Sequence, residues 1–117
     1  MTKYTPEELA RRIAAILDDK LAADIKILHV FDKTTVADYF VIAGGNSTTQ
    51  VRALASEVDF KLGEEGITPL RSEGTSEGSW AVLDYGCVLV HVFLPDARAF
   101  YNLDKLWTDS REVFEEQ

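Results

Sequence analysis

Two runs of alternating residues on either side of Gly86 and Cys87 constrain the fold of this chain most. Residues 80–84, Trp-Ala-Val-Leu-Asp, and residues 88–94, Val-Leu-Val-His-Val-Phe-Leu, both have the period of two that is typical of a β-strand. Glycine accepts the positive φ that a type II′ turn requires at its first central position. Gly86 and Cys87 are therefore predicted to be the central residues of a tight hairpin.

The predicted turn fixes the register of the hairpin and sorts its side chains onto two faces. It places Asp84 opposite Leu89, and it places Val82 opposite His91. One face is apolar apart from one phenol and is expected to lie beneath helices: Ala81, Leu83, Tyr85, Val88, Val90, Val92 and Leu94. The other face, called the mixed face below, combines aromatic, aliphatic and ionisable side chains: Trp80, Val82, Asp84, Leu89, His91 and Phe93.

Two helices are indicated by their capping residues. Thr5 and Glu8 form a Thr-x-x-Glu capping box, and Pro6 suits the first helical position. The apolar stripe of this helix is Leu9, Ile13, Ile16, Leu17 and Leu21. A second helix is predicted over residues 47–65, with the capping-box pattern Ser-x-x-Gln at its start and Gly66 to terminate it. Its apolar stripe is Val51, Leu54, Ala55, Val58 and Leu62.

Three further segments are predicted to be strands. Residues 24–32 alternate and suit a half-exposed strand, whereas residues 38–44 are a nearly continuous apolar run and suit a central strand covered on both faces. Residues 68–74 predict a short strand, which Pro69 places at an edge or at its own beginning. Residues 97–107 predict one or two helical turns. The order α-β-β-α-β-β-β-α indicates an α/β fold with a mixed sheet of about five strands and helices mainly on one face.

A length of 117 residues fits one compact domain, which is predicted to span residues 1–109 and to be followed by a polar tail over residues 110–117. The single cysteine excludes an internal disulfide framework and fits a reducing compartment. No apolar run approaches the ~20 residues that span a bilayer, and the N-terminal residues lack the apolar core of a signal peptide. We therefore expect a cytoplasmic protein that does not associate with a membrane.

The chain is acidic, with 20 Asp and Glu against 12 Lys and Arg and a net charge of −8. This charge argues against affinity that comes from neutralising phosphates, so little direct contact with nucleic acid is expected. An acidic domain is better suited to a basic surface on a protein partner.

Catalytic chemistry finds little support in the residue pattern. Residues 44–47, Gly-Gly-Asn-Ser, join a strand to a helix N-terminus, which suits either an anion site or a tight, well-capped loop. A nucleotidyltransferase would also need clustered carboxylates on nearby strands, and Asp84 stands alone on its strand. Asp84 and His91 are diagonal neighbours at best, and no basic group is placed to activate Cys87. The two histidines and one cysteine lack the spacing of a zinc site. We expect no catalytic residue, metal or cofactor.

The mixed face has two interpretations. It is either a half-solvated sheet surface, where scattered apolar residues are ordinary, or a surface that binds another protein. Tryptophan is enriched at binding hot spots, and aromatic groups ringed by polar ones are typical of interfaces. Arg71 and Glu73 suit either a surface ion pair or part of the same binding patch. On these grounds the binding surface is favoured.

Three segments taken together resemble the ribosomal silencing factor family, also called Iojap-like proteins, over about residues 6–109. They are residues 37–58 (ADYFVIAGGNSTTQVRALASEV), residues 77–93 (EGSWAVLDYGCVLVHVF) and residues 98–107 (RAFYNLDKLW). The resemblance implies a nucleotidyltransferase-like fold without the transferase carboxylates. It also implies binding to the large ribosomal subunit, chiefly through large-subunit ribosomal protein fourteen, which blocks joining of the small subunit and lowers translation when nutrients are scarce. Homodimers of the free protein and, in organelles, roles in large-subunit assembly are further implications.

On this resemblance we expect the partner to be bound by residues of the mixed face and of the segment that follows it. Trp80 is expected to be the central apolar anchor, and Asp84 and Glu73 are expected to meet lysine or arginine. The complete expected set is Glu73, Trp80, Asp84, His91, Arg98, Tyr101, Lys105 and Trp107. The alternatives are a large-subunit assembly factor that uses the same contact and a metal-dependent nucleotidyltransferase.

Overall fold

Within the described residues of the computed structural model, six strands form one mixed sheet and two helices pack on one of its faces. The structure describes residues 4–29, 38–75, 78–94 and 111–115. The elements in chain order are α1 (Pro6–Asp19), β1 (Ala23–His29), β2 (Tyr39–Gly44), α2 (Thr48–Glu64), β3 (Arg71–Glu73), β4 (Trp80–Asp84), β5 (Val88–Phe93) and β6 (Arg111–Glu115).

The strands lie across the sheet in the order β3-β4-β5-β2-β1-β6. β2 and β5 are parallel, and the other neighbouring pairs are antiparallel. The mixed sheet and the order of the first seven elements along the chain are therefore as predicted. Every residue of β2 is buried, as its continuous apolar run predicts. β3 lies at an edge of the sheet, one of the two positions that Pro69 favoured.

The segment predicted to be a polar tail, residues 110–117, contains the sixth strand. Arg111–Glu115 pairs antiparallel with β1, so the sheet has one strand more than the five counted from the sequence. Val113 and Phe114 are adjacent and do not alternate with their glutamate neighbours, so this strand carries no period-two signal and depends on its pairing with β1. The helical turns predicted over residues 97–107 lie outside the described residues, and the nucleotidyltransferase-like arrangement stays a prediction.

Both helices begin where their capping residues predict. In α1, Glu8 N donates to Thr5 Oγ1 (3.2 Å) and Thr5 N donates to Glu8 Oε1 (3.0 Å), which completes the capping box. In α2, Gln50 N donates to Ser47 Oγ (3.1 Å), but Gln50 Oε1 accepts from Asn46 N (2.6 Å) and not from the N-cap itself. The second hydrogen bond of the capping box is therefore made by the backbone N–H of Asn46, one residue before the N-cap Ser47.

The hairpin between β4 and β5 has the predicted register. Asp84 lies opposite Leu89, and Val82 lies opposite His91. Gly86 has a φ of +87° at the turn, a conformation that glycine adopts without strain. Six residues of the face expected beneath the helices are buried in the main core, and Leu94 is partly buried against it: Ala81, Leu83, Tyr85, Val88, Val90 and Val92.

Both helices end in the same backbone motif, with different residues at its left-handed position. After α2, Ile67 N donates to Leu62 O (2.9 Å), and Gly66 has a φ of +83°. After α1, Ala22 N donates to Leu17 O (3.0 Å), and Leu21 has a φ of +66°. These are Schellman motifs, which favour glycine at this position. Leu21 was wrongly predicted to belong to the apolar stripe of α1, since the helix ends at Asp19 and Leu21 is 81% exposed.

We predict that Leu21→Gly stabilises the protein by about 1 kcal/mol, because a left-handed backbone costs an L-residue ~1–2 kcal/mol and the leucine side chain buries little. The greater entropy of glycine in the unfolded chain offsets part of the gain. Urea denaturation of the wild-type and variant proteins measures the difference in the free energy of unfolding.

Gly66→Leu is the matched control at the end of α2. A Cβ at Gly66 would have no atom within 4 Å, so the main cost of a residue other than glycine there is its left-handed backbone. This variant should lose about as much stability as Leu21→Gly gains. A Leu21→Gly protein that is less stable than wild type would contradict the assignment of backbone strain to Leu21.

Candidate protein-binding face of the sheet

The mixed face lies on the side of the sheet opposite α1 and α2 and has a small apolar cluster of its own. Leu28 of β1, Phe40 and Ile42 of β2 and Phe93 of β5 form the buried part of this cluster, and Trp80 packs against them. The half-buried residues of the mixed face are Trp80, Val82, Asp84 and Leu89, whereas His91 and Phe93 are buried. The exposed part of the face therefore lies toward the β3 edge.

Trp80 is held in place by two aromatic neighbours on β5. Its indole Nε1 donates to His91 Nδ1 at 3.3 Å, and its ring lies edge-on to Phe93 with centroids 6.0 Å apart. The acceptor nitrogen of His91 carries no proton, so the neutral imidazole is protonated at Nε2. Because indole donates in one geometry only, His91 fixes the orientation of the Trp80 ring.

His91 is a buried support for Trp80 and has little surface of its own to offer a partner. It is 8% exposed, and its ring lies 5.0 Å from that of Phe40. Its Nε2 has no hydrogen-bond partner among the described residues. Burial lowers the pKa of His91 to about 4, since removal from water disfavours the charged imidazolium. His91 was predicted to contact the partner directly. Its burial favours an indirect role, in which it orients Trp80.

Asp84 is fixed by the turn that follows it. Its Oδ1 accepts from Gly86 N at 2.8 Å, and its Oδ2 lies 3.4 Å from Nη2 of Arg71 on the neighbouring strand. Arg71 and Asp84 are direct cross-strand partners, and Glu73 lies opposite Val82. The ion pair considered between Arg71 and Glu73 was therefore wrong. Arg71 pairs instead with Asp84, because Asp84 lies directly opposite it on the neighbouring strand.

A groove of about 180 Å³ crosses β3, β4 and the start of β5 on this face. Three charged and two aliphatic side chains line it: Arg71, Glu73, Val82, Asp84 and Leu89. An aliphatic surface ringed by charges suits an extended basic side chain better than a planar or anionic group. We call this feature the β3 groove.

The structure brings together four of the residues predicted to bind a partner: Glu73, Trp80, Asp84 and His91, all on the adjacent strands β3, β4 and β5. The other four, Arg98, Tyr101, Lys105 and Trp107, lie outside the described residues. Phe40 and Arg71 were missing from the predicted set. Phe40 lies beside this face because β2 pairs in parallel with β5, which places it opposite Leu89. A single strand pattern does not carry that information.

The features considered for catalysis have structural partners in the fold. The N-terminus of α2 is capped by Ser47 and Gln50, and a Cβ on Gly45 would lie 2.9 Å from Val51 Cγ2, so close packing accounts for this glycine. Burial raises the pKa of the Cys87 thiol. Across the described ranges, no three His, Cys, Asp or Glu side chains are grouped to hold a metal ion. None of the described helices has the length and apolar character to cross a membrane.

The fold and the mixed face define an α/β domain whose candidate site is a sheet surface with a half-buried tryptophan and a charged groove. The family model described as "Ribosomal silencing factor during starvation" matches residues 3–117, and the chain belongs to this family. The predicted family membership is confirmed.

The chain is similar to relatives with ribosomal names. It is 47% identical to ribosomal silencing factor RsfS of Bacillus subtilis over 97 residues, which cover 83% of this chain and 82% of that protein. It is 30% identical over 99 residues to the mouse protein named mitochondrial assembly of ribosomal large subunit protein 1, covering 82% of this chain and 43% of that protein. A crystal structure from Chromobacterium violaceum, 34% identical, has a TM-score of 0.87 and covers 95% of this chain and 92% of its own.

We predict that His91 makes the protein less stable as the pH falls from 7 to 5. The pKa of His91 is about 4 in the folded state and ~6.5 when the side chain is exposed. Between these values the unfolded chain binds more protons, so the free energy of unfolding falls with pH, by about 2 kcal/mol at pH 5. His91→Gln removes this contribution, and urea denaturation at the two pH values measures it.

His29→Gln is the control for this prediction, because His29 is the only other histidine of the chain. It stacks on Tyr39 with ring centroids 4.6 Å apart, and its strand, β1, is separated from β5 by β2. Comparing the two variants shows whether the pH dependence belongs to His91 specifically. Equal losses of stability in wild type and His91→Gln would show that His91 does not supply it.

Proposed function

We propose that this protein binds the large ribosomal subunit, chiefly through large-subunit ribosomal protein fourteen, and that the bound protein sterically blocks joining of the small subunit. Translation is thereby lowered when nutrients are scarce. The observation that carries the proposal is membership of the ribosomal silencing factor family, together with the fixed orientation of the half-buried Trp80 on the mixed face. The site of action is the cytoplasm, and the free protein forms a homodimer that separates on binding.

The mixed face supports this proposal through the way in which it presents Trp80. A tryptophan held by a hydrogen bond and an edge-on contact is ordered before it meets a partner, so binding costs less side-chain entropy. Interface hot spots combine such aromatic anchors with neighbouring residues that exclude water. Val82 and Leu89 supply apolar surface on the same face.

Charge supports a basic protein surface as the partner. The net charge is −8, and two carboxylates, those of Glu73 and Asp84, line the β3 groove. Complementary charge raises the rate of encounter and fixes the orientation of the complex more than it raises affinity. The same charge disfavours direct contact with ribosomal RNA, whose phosphates repel an acidic surface. A block by occupancy requires no catalytic group, so the proposed activity is not enzymatic.

Large-subunit assembly is the second candidate function. It is favoured by the mouse relative, whose name describes assembly of the ribosomal large subunit. An assembly factor would use the same face on immature particles. The two functions differ in the particle that is bound and in the result of binding, so sedimentation with mature and precursor subunits separates them.

We predict that Trp80→Ala abolishes co-sedimentation with large subunits. Loss of an aromatic anchor typically costs ~2–4 kcal/mol of binding, a complex roughly 30- to 1000-fold weaker. Purified wild-type and variant proteins are centrifuged on sucrose gradients with separated small subunits, large subunits and whole ribosomes. Small subunits are then added to the large-subunit fraction, where wild type should prevent the formation of whole ribosomes.

Phe60→Ala is the matched control, because Phe60 is an aromatic residue of α2 that is 60% exposed on the helical side of the sheet. This variant should bind as tightly as wild type. Circular dichroism and urea denaturation establish that both variants are folded. If folded Trp80→Ala bound like wild type, Trp80 would not be the anchor. If wild type stayed at the top of every gradient, ribosome binding itself would be rejected.

A further inference from the structure

Arg71 is only loosely held in its ion pair with Asp84 at the β3 groove. A single guanidinium nitrogen approaches the carboxylate, at 3.4 Å, and the arginine side chain is 71% exposed. Strong arginine–carboxylate pairs are bidentate and shorter, at ~2.7–2.9 Å. The pair is therefore of the exposed, solvent-screened kind, whose contribution is small.

Asp84 is well prepared to bind a cation. The turn amide of Gly86 holds Oδ1 at 2.8 Å, so the orientation of the carboxylate does not depend on Arg71. The Asp84 side chain is only 15% exposed, and a partly desolvated carboxylate attracts a cation more strongly than one in water. Oδ2 of Asp84 is thus held in a fixed position, whereas the Arg71 guanidinium that contacts it is bound weakly.

The β3 groove has the size and the lining for one long basic side chain. Its volume of about 180 Å³ lies below the ~300–1,000 Å³ of sites that take small-molecule ligands. Val82 and Leu89 can pack against the aliphatic stem of a lysine or arginine. Asp84 and Glu73 can then receive its charge.

We propose that Arg71 is an internal competitor for this groove: it pairs with Asp84 Oδ2 in the free protein, and a lysine or arginine side chain of the protein partner displaces it on binding. The identity of the partner rests on the proposed function, whereas the displacement rests on the geometry of Arg71, Asp84 and Gly86. Arg71 thereby limits affinity and selects for partners with a cationic side chain at this position.

Arg71→Gln should bind large subunits about two- to fivefold more tightly than wild type, because the displaced pair is worth no more than a typical exposed ion pair. Lys61→Gln is the matched control. Lys61 pairs with Glu57 at 3.9 Å on α2, so its removal changes the net charge equally and also frees a carboxylate, but on a different surface. The control should bind like wild type.

The gain must depend on Asp84. In the Asp84→Asn background, which keeps an oxygen to accept from Gly86 N, the further change Arg71→Gln should produce no gain in affinity. Equal tightening by Arg71→Gln and Lys61→Gln would show a general effect of charge and overturn the proposal. Unchanged or weaker binding of Arg71→Gln would overturn it as well.

A second assay separates this inference from the proposed function. Tetralysine is titrated into ¹⁵N-labelled protein, and the Gly86 amide signal is followed because that N–H contacts the Asp84 carboxylate. Arg71→Gln should shift this signal at a lower peptide concentration than wild type and Lys61→Gln. If large subunits bind neither wild type nor any variant, the proposed function is rejected. The tetralysine titration then tests the role of Arg71 by itself. Indistinguishable titrations, or no Gly86 shift in any variant, then overturn the role of Arg71.

Discussion

The register of the β4–β5 hairpin is the constraint on which the rest of this structure depends. Side chains alternate between faces, so a shift of one residue would move Val90 and Val92 out of the main core and bring His91 into it. Gly86 at φ +87° and the bond from its amide to Asp84 Oδ1 hold the turn in place. The same carboxylate then presents Oδ2 to the β3 groove. Folding and the candidate site therefore share one interaction.

The mixed face contains a polar group that packing alone does not favour. His91 is buried with one nitrogen unpartnered among the described residues, and an unsatisfied buried group typically costs ~1–3 kcal/mol. A leucine of similar size would avoid this cost but could not accept the Trp80 indole N–H. The observed arrangement thus gives up stability for a defined orientation of Trp80. Costs of this kind are expected at functional sites.

Features that depend on neighbouring residues in the chain could be predicted from the sequence, and features that depend on strand order could not. The capping box of Thr5 and Glu8 and the hairpin at Gly86 are local, and both were predicted. Arg71 pairs with Asp84 only because β3 pairs with the free edge of β4. The residues that separate Arg71 from Asp84 in the sequence carry no pattern that would predict this pairing. The pairing of β6 with β1 is non-local in the same way. The prediction that Leu21 belongs to the apolar stripe of α1 was wrong because hydrophobicity alone does not show where a helix ends.

Long-range and short-range electrostatics have separate roles in the proposed recognition of a partner. A net charge of −8 attracts any basic surface and does little to distinguish one from another. Discrimination requires a contact whose free energy depends on one group of the partner. The Arg71–Asp84 pair supplies such a contact if it is displaced as proposed: a partner without a cation at the groove leaves the pair intact and gains nothing there. A partner with one exchanges a weak exposed pair for a more buried one, because its aliphatic stem covers Val82 and Leu89 and excludes water from Asp84. The groove thus converts general attraction into selection for one side chain.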